Sequence, residues 1–276
     1  MNIYVCVKQV PDTETKVVLE SDGKAINTSA IKWVVNPYDE YAIELAMQIK
    51  DRLQGAPNVI VIRVGESNPT VEVLRTAMAM GADEAIHVEL PKYTLLDPTI
   101  TAKALEAAIK KFAKPVDLIL AGKQSIDADN SQVPQMLAAR MGLECATAIG
   151  SYKVVEGSEM ASGVMEVTRD LDGGSSEVLS VRLPALLSCN KGLNTPRYPS
   201  LPGIMKAKKK PLTKYTMGDL GLEQVALDSD YAQMSLVLPP EKAPGKKVVM
   251  ESDNPTQQKE MMKQAVEFLR SEAKVI

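Results

Sequence analysis

The chain has 276 residues, of which 45% are hydrophobic and 24% are charged. These proportions are ordinary for a soluble protein with one large α/β domain and an appendage. Its 32 lysines and arginines nearly balance its 35 aspartates and glutamates, and the net charge of -3 gives no overall field that would attract nucleic acid or an anionic membrane. The composition therefore argues against a nucleic-acid partner and against direct membrane insertion.

The cellular setting is predicted from the cysteines and the amino terminus. Cys6, Cys145 and Cys189 form no CxxC pair, so neither a metal site nor a disulfide framework is indicated. No run of about 18 apolar residues occurs. A strand-like stretch begins at Ile3, which leaves no room for a signal peptide. We expect a cytoplasmic protein without a metal.

Apolar, partly β-branched stretches alternate with helical segments in the first half of the chain. The stretches are Ile3 to Val7, Val59 to Val64, Ala85 to Val88 and Leu118 to Ala121. Such alternation predicts a mostly parallel, twisted sheet with crossover helices on its faces.

Three helices are predicted between these strands. The first begins at Asn36-Pro37, where Asn36 can act as the cap and Pro37 suits the first helical position. Its buried stripe is expected to contain Tyr41, Leu45, Ile49 and Leu53. A second helix is expected from Asn68-Pro69 to Gly81, and a third from Asp97-Pro98 to Lys114-Pro115.

The second half of the chain has a different sequence pattern. Gly173-Gly174 is predicted to join the strands Val164 to Thr168 and Glu177 to Leu183 into a hairpin at the edge of the sheet. Residues 191–221 have no convincing period and are expected to form a long exposed loop. A last amphipathic helix is expected from Asn254-Pro255, behind a proline-rich linker at Pro239 to Gly245.

Catalytic motifs are absent from the sequence. It contains one histidine, His87, and no HExxH, GxSxG, P-loop or GxGxxG pattern. A histidine-dependent hydrolase is therefore disfavoured. His87 lies inside an apolar strand, where a structural role is several times more common than a catalytic one.

The most polar unusual segment runs from Gly122 to Gln135, between a predicted strand and a predicted helix. Open α/β sheets bind ligands at this position, and the first amides of the following helix can hold a phosphate. Ser125, Asn130, Ser131 and Gln132 add neutral hydrogen-bonding groups. Asp127 and Asp129 would repel phosphate and suit ribose hydroxyls, helix capping or loop structure. A nucleotide site and a merely polar loop both remain open on this pattern.

A second unusual segment lies between Tyr198 and Lys210. Leu201, Ile204 and Met205 follow closely spaced prolines beside a lysine run at positions 206 and 208–210. A solvated charge run is the plainer interpretation. An apolar anchor with lysines at its rim is also how partner-docking sites are built, which would make Leu201 the anchor and Lys206 and Lys209 its rim.

Several segments in one order together resemble the β-subunits of electron-transferring flavoproteins. The hairpin and lysine segments are the specific ones, and the likeness covers about residues 1–222. The matching stretches are Val5-Cys-Val-Lys-Gln-Val-Pro-Asp12, Asn36-Pro-Tyr-Asp39, Ala77-Met-Ala-Met-Gly-Ala-Asp83, Gly122-Lys-Gln-Ser-Ile-Asp127, Thr168-Arg-Asp-Leu-Asp-Gly-Gly174 with Leu183-Pro184, and Pro196 to Lys210.

The resemblance implies an α/β fold of the adenine-nucleotide α-hydrolase type in residues 1–222. The resemblance also implies that this domain includes a recognition loop at residues 191–210. A carboxy-terminal linker and helical arm, residues 223–276, would dock on a partner. The resemblance further implies a heterodimer in which the α-subunit holds FAD. The loop from Gln9 to Thr13 would approach that flavin, and the subunit itself would perform no bond-making catalysis.

The family's nucleotide site can be placed on this sequence residue by residue. In the respiratory branch the β-subunit buries an AMP, held mostly by main-chain groups. The implied residues are Cys6, Asn36, Pro37, Tyr38, Asp39, Val64, Ser125, Ile126, Asp127, Ala128, Asp129, Asn130, Ser131, Gln132, Val133, Pro134, Gln135 and Met136. The family's recognition loop implies docking of acyl-CoA and related dehydrogenases, with electrons passing to a membrane quinone oxidoreductase.

Two other interpretations remain open. The Val-Pro-Asp and Asn-Pro-Tyr-Asp segments are similar to the bifurcating branch, which places a second FAD where the respiratory branch has AMP. The nucleotide loop reads Ala128-Asp129-Asn130 rather than that branch's Gly-Asp-Thr, which favours AMP. An alternative of another class is a free-standing enzyme that uses an adenine nucleotide. That alternative lacks a glycine-rich phosphate loop and an obvious metal cluster.

Overall fold

A computed structural model describes residues 1–53, 55–66, 70–90, 97–154, 163–223, 235–240 and 254–275. The chain divides into two compact units, Met1–Leu236 and Val237–Ile276. The division predicted near residue 222 stays a prediction, because residues 224–234 lie outside the described part.

The described elements alternate between strands and helices in the first half, as the sequence predicts. In chain order they are β1 Asn2–Cys6, β2 Gln9–Pro11, β3 Trp33–Val35, α1 Pro37–Arg52, β4 Asn58–Gly65, α2 Thr70–Met80, β5 Glu84–Glu89, α3 Pro98–Phe112, β6 Leu118–Gly122, α4 Val133–Met141, β7 Glu144–Val154, β8 Val164–Asp170, β9 Ser176–Arg182, β10 Ala185–Cys189, α5 Leu201–Ala207, β11 Leu212–Tyr215 and α6 Pro255–Ser271.

The main sheet has nine strands in the order β11-β5-β4-β1-β6-β10-β7-β8-β9. The strands from β11 to β7 pair in parallel, whereas β7, β8 and β9 form an antiparallel edge. The predicted α/β class, the parallel strands and the edge hairpin are therefore confirmed. From β1 the chain first builds the β4 side and then returns to build the β6 side. The ends of β1 and β6 thus form the switch point where open sheets bind ligands.

Two hydrophobic clusters cover the two faces of the sheet. Alternate strand residues such as Val5 and Tyr4 point to opposite faces, because side chains alternate along a strand. Helices α1 and α2 pack on the Val5 face, and α3 and α4 pack on the Tyr4 face. This three-layer arrangement fixes which helix ends meet at the switch point.

The predicted helices of the first half are confirmed, with one correction at a cap. Asp97 caps α3, its Oδ1 accepting from the backbone N–H groups of Thr99 and Ile100. Asn36 precedes α1 but makes no capping hydrogen bond with its side chain. That side chain reaches the residue 122–135 segment instead, because a tertiary partner competes with the helix end. The expected start of the second helix at Asn68-Pro69 lies outside the described residues.

The buried stripe of α1 is shifted from the predicted one. Leu45 and Ile49 are buried as expected, but Tyr41 and Leu53 only pack at the margin of the core. The remaining core positions of α1 are Ala42, Ile43, Ala46 and Met47. The two alanines among them are small enough to let the helix lie close to the sheet.

The segment expected to be one long exposed loop, residues 191–221, is not a loop throughout. It contains α5, which Ser200 caps by accepting from the N–H of Gly203, and the edge strand β11. Strand β10 was also not predicted from the sequence pattern. It is fully buried between β6 and β7, although it follows the hairpin in the chain. A five-residue apolar run carries no periodicity that would separate a strand from other buried structure.

Helix α6 begins where the sequence predicts it. Asn254 caps it by accepting from the N–H of Thr256, and none of its residues is buried. Its exposed apolar side chains include Met262, Val266 and Leu269. In the described part of the chain, no helix combines the length and the apolar character needed to span a membrane.

Candidate functional site

The carboxylate of Asp39 joins the two strand ends at the switch point. One oxygen accepts from the N–H of Lys8, just after β1, at 2.7 Å, and the other from the N–H of Gly122, the last residue of β6, at 3.0 Å. A Cβ on Gly122 would lie 2.3 Å from Asp39 Oδ1 and 2.7 Å from the backbone of Tyr38. Only glycine at position 122 lets the start of α1 approach β6 this closely.

Burial raises the pKa of Asp39 to about 7, and the hydrogen bonds from Lys8, Asn36 and Gly122 only partly oppose this shift. The carboxyl group therefore titrates close to neutral pH. Such perturbed groups concentrate at functional sites, although structural networks produce them too.

Asn36 connects the start of α1 to the polar segment that follows β6. Its Nδ2 donates to the carbonyl of Gln124 at 2.9 Å, and its Oδ1 accepts from the N–H of Ile126 at 3.1 Å. Both hydrogen-bonding groups of the amide are thus used across the site. This pairing explains why Asn36 does not cap its own helix.

The polar segment is further held by Lys8. Its Nζ donates to Ser125 Oγ at 3.2 Å and to Asp127 Oδ1 at 2.8 Å. Lys8 thus connects the end of β1 to the polar segment. The sequence analysis did not include Lys8 among the site residues. Its position inside the Val5 to Asp12 motif was the available signal.

Two residues of the segment adopt left-handed backbone conformations. Asp129 has φ +53° and Ser131 has φ +52°. Non-glycine residues in this region cost about 1 kcal/mol or more and persist where the surroundings hold them. Here the N–H of Asp129 donates to the carbonyl of Ser125, and Ser131 Oγ donates to the carbonyl of Lys123, both at 2.9 Å. Hydrogen bonds within the segment therefore hold these two residues in their left-handed conformations.

The start of α4 contains one buried acceptor that is unpaired among the described residues. No side chain caps this helix at Gln132, and Pro134 stands in its first turn. Among the described residues, Gln135 Oε1 is buried without a hydrogen-bond partner. Backbone amides at a helix start favour an anion. A buried acceptor without a partner needs a hydrogen-bond donor.

The structure brings most of the predicted nucleotide residues to one edge of the sheet. Cys6 ends β1 and half-buried Val64 lies near the end of β4, two positions beyond Ile62, the residue that pairs with Cys6. Pro37 and Tyr38 form the first turn of α1 beside Asp39. The remaining predicted residues, Ser125 to Met136, run from the polar segment into α4.

The thiol near this site is not activated. Burial, and then the charge of Asp39, raises the pKa of Cys6 to about 12. The same two effects raise the pKa of Cys189 even further. A thiolate nucleophile is therefore disfavoured, and the geometry suits binding. Among the described residues, no group of three or more His, Cys, Asp or Glu side chains could hold a metal.

The predicted docking residues form an exposed apolar surface on α5. Leu201 is 81% exposed and Met205 is 72% exposed, while Ile204 is 43% exposed. Tyr198, which precedes the helix, is 93% exposed and extends the same surface. Lys206, Lys208 and Lys209 are exposed as well. We call these apolar residues, Tyr198, Leu201, Ile204 and Met205, the α5 surface.

A rigid base supports the α5 surface. A Cβ on Gly203 would lie 2.6 Å from the carbonyl oxygen of Ala79, so α5 touches the backbone of α2. Lys210 Nζ donates to the carbonyls of Met78 and Ala82 at 3.0 and 2.6 Å, so this lysine belongs to the fold rather than to the charged rim. Arg75 donates to the carbonyl of Lys210 at 2.9 Å.

The stretch from Gln9 to Thr13 is a strand at its start. Gln9–Pro11 pairs with Trp33–Val35 as a separate two-stranded sheet, and Thr13 is exposed. Its predicted approach to a partner flavin stays a prediction.

The fold and the site define an open, mostly parallel α/β protein with a polar site at the switch point of its sheet. In sequence comparisons, residues 24–220 match the model of the Electron transfer flavoprotein domain. The chain is 38% identical over 278 residues to the electron transfer flavoprotein subunit beta of Bacillus subtilis (strain 168), with 100% of both chains covered.

Two eukaryotic relatives give the same result. The mitochondrial subunit beta of Arabidopsis thaliana is 40% identical over 245 residues, covering 89% of this chain and 92% of the relative. That of Homo sapiens is 36% identical over 255 residues, covering 92% and 94%. The chain belongs to the electron transfer flavoprotein family, among its β-subunits. Membership gives it a role in electron transfer, in a flavin-associated complex with an α-subunit.

Proposed function

We propose that this chain is the AMP-binding β-subunit of a cytoplasmic electron carrier. In this proposal it binds AMP structurally at the switch point and supports the FAD held by the α-subunit. The α5 surface docks acyl-CoA-type dehydrogenases, and the electrons pass on to a membrane quinone oxidoreductase. The flavin supplies the redox chemistry, so this chain contributes binding and positioning without bond-making catalysis of its own.

The observation that carries the proposal is the arrangement of hydrogen-bonding groups around the polar segment. The start of α4 offers amides to a phosphate, and Gln135 Oε1 can accept from a base or ribose donor. Lys8 Nζ contacts the same segment and can turn from Asp127 towards an anion. These groups fit a nucleotide monophosphate, whereas no described cysteine or histidine is placed for catalysis on it.

The first experiment extracts the bound nucleotide from the purified complex with its α-subunit and weighs it by mass spectrometry. We expect about one AMP and one FAD for each complex, because the groups described fit one phosphate and one base. Removing AMP should lower the melting temperature without changing the flavin potential, since a ligand that binds only the folded state stabilises it. Two FAD and no AMP would contradict the proposal and support the bifurcating type.

A matched pair of variants locates the nucleotide. Lys8→Met should reduce the retained AMP roughly tenfold, because a charge-assisted hydrogen bond to phosphate contributes about 1.5 kcal/mol or more. Lys32→Met removes a lysine that is also ion-paired, to Asp12 at 2.8 Å, but lies outside the polar segment. Equal retention by both variants would place the phosphate away from Lys8.

A further inference from the structure

Arg63 is a buried arginine whose guanidinium is not fully hydrogen-bonded by the described residues. It stands near the end of β4 and is 6% exposed. Among the described residues, its Nε and Nη1 have no hydrogen-bond partner. Guanidinium groups carry five N–H donors, and buried charges are normally paired. Two orphaned nitrogens on one buried cation therefore need a ligand.

His87 lies beside Arg63 on the neighbouring strand. The register of β4 and β5 places the two residues opposite each other, and His87 is 0% exposed. Its Nε2 lies 3.1 Å from the carbonyl oxygen of Gly65. Since a carbonyl only accepts, Nε2 carries the proton of a neutral ring. The other ring nitrogen, Nδ1, is then a buried acceptor, and it has no partner among the described residues.

Gly65 shapes the space next to both side chains. A Cβ on Gly65 would lie 2.6 Å from Arg63 Nη2, so the guanidinium occupies the place of a side chain. Strand alternation puts Arg63 on the face of α1 and α2, whereas the proposed AMP residue Val64 packs on the opposite face. The cluster is thus distinct from the polar segment after β6, although it shares the carboxyl edge of the sheet.

Charges of both signs act on the cluster. Burial lowers the pKa of Arg63 to about 10, with Glu66 opposing the shift, so the guanidinium stays charged at neutral pH. Burial also lowers the pKa of His87, which favours its neutral ring. The other charges that act on His87 are Lys214, which lowers its pKa, and Glu89, which raises it.

We propose that Arg63 and His87 form a buried subsite for a phosphoryl group that carries one proton. Its oxyanion oxygens accept from Arg63 Nε and Nη1, and its P–OH donates to His87 Nδ1. A fully ionised carboxylate would satisfy Arg63 but not His87.

The test measures binding of inorganic phosphate by the complex with its α-subunit, at constant ionic strength in equilibrium dialysis. Wild type should bind phosphate saturably, and Arg63→Met should bind it on the order of tenfold or more weakly. Lys32→Met, the exposed control, should behave as wild type. Arg63→Lys keeps the positive charge but has fewer N–H donors, so it should bind phosphate at an intermediate level. It replaces Arg63→Met in the test if that variant does not fold. Equal binding by the Arg63 variants, or no saturable binding by wild type, would overturn the inference and leave ordered water as the partner.

A second arm identifies the source of the phosphoryl group. If saturating AMP displaces the bound phosphate, the group is the nucleotide's own; if both bind together, the subsite takes free phosphate. Extracted AMP is quantified on the same samples. Its absence would contradict the proposed function while leaving the phosphate result valid, so the two failures are distinguishable.

Discussion

At the scale of single residues, highly exposed apolar side chains are candidates for partner contacts, and buried polar side chains are candidates for ligand sites. Leu201 belongs to the first kind, because it projects from the first turn of α5 while being 81% exposed. Asp39 belongs to the second kind, since it bonds both strand ends from a buried position. Each leads to a separate prediction.

Leu201→Ala should leave folding, nucleotide and partner FAD unchanged, because the side chain contributes little to the core. It should weaken electron acceptance from a cognate dehydrogenase about tenfold or more, since truncating a central anchor costs about 2 kcal/mol or more of binding. Changes at Lys206 and Lys209 should cause smaller losses that shrink as salt rises. The measurement is steady-state flavin reduction at varied carrier concentration. Unchanged kinetics with every physiological donor would show that docking occurs elsewhere.

Asp39 should make stability fall as the pH rises towards neutral. Its pKa is raised from 3.8 unfolded to about 7 folded, so the folded state binds the extra proton in that window. The stabilisation is complete below the unfolded pKa and lost as the pH passes the folded pKa. Denaturant unfolding at pH 5 and pH 8 should show a smaller pH difference for Asp39→Asn than for wild type. Asp172→Asn, an exposed control outside this network, should keep the wild-type difference.

At the scale of elements, α5 packs directly on the backbone of α2. Gly203→Ala should displace α5, because the added Cβ would meet the carbonyl of Ala79 at 2.6 Å. We expect a loss of about 1–3 kcal/mol of unfolding free energy together with weaker dehydrogenase docking. In Gly150→Ala the added Cβ would have Asp170 Oδ2 as its nearest neighbour, at 3.6 Å, so the unfolding free energy and the docking should both change little. If Gly203→Ala docks as wild type, the surface does not depend on the position of α5.

Local signals predicted some elements and failed at others for identifiable reasons. Proline and aspartate at the start of α3 predicted its cap, because the interaction is local. Asn36 had the same local signal, yet its amide binds Gln124 and Ile126, which lie far along the chain. Arg63 gave no local signal, and the only signal for Lys8 was its place in the Val5 to Asp12 motif. Their importance depends on which strands become neighbours, and the insertion of β10 was not visible in the sequence.

At the scale of the whole molecule, α6 is a helix whose own unit buries none of it. Deleting residues 246–276 should therefore weaken assembly with the α-subunit, since the exposed apolar side chains of α6, such as Met262, would no longer be there to pack against it. The measurement is co-purification of the α-subunit and its FAD with full-length and shortened chains. A shortened chain that retains both fully would show that the arm does not contribute to assembly.

The position of β10 also has a consequence for synthesis. Its five buried residues pair with β6 on one side and β7 on the other, although the chain makes both of those strands first. Until residue 189 has left the ribosome, β6 keeps an open edge and the β7–β9 hairpin has no attachment to the sheet. Unpaired edges recruit other strands. A nascent chain of this protein is therefore most exposed to mispairing just before its last central strand emerges, when chaperone protection would matter most.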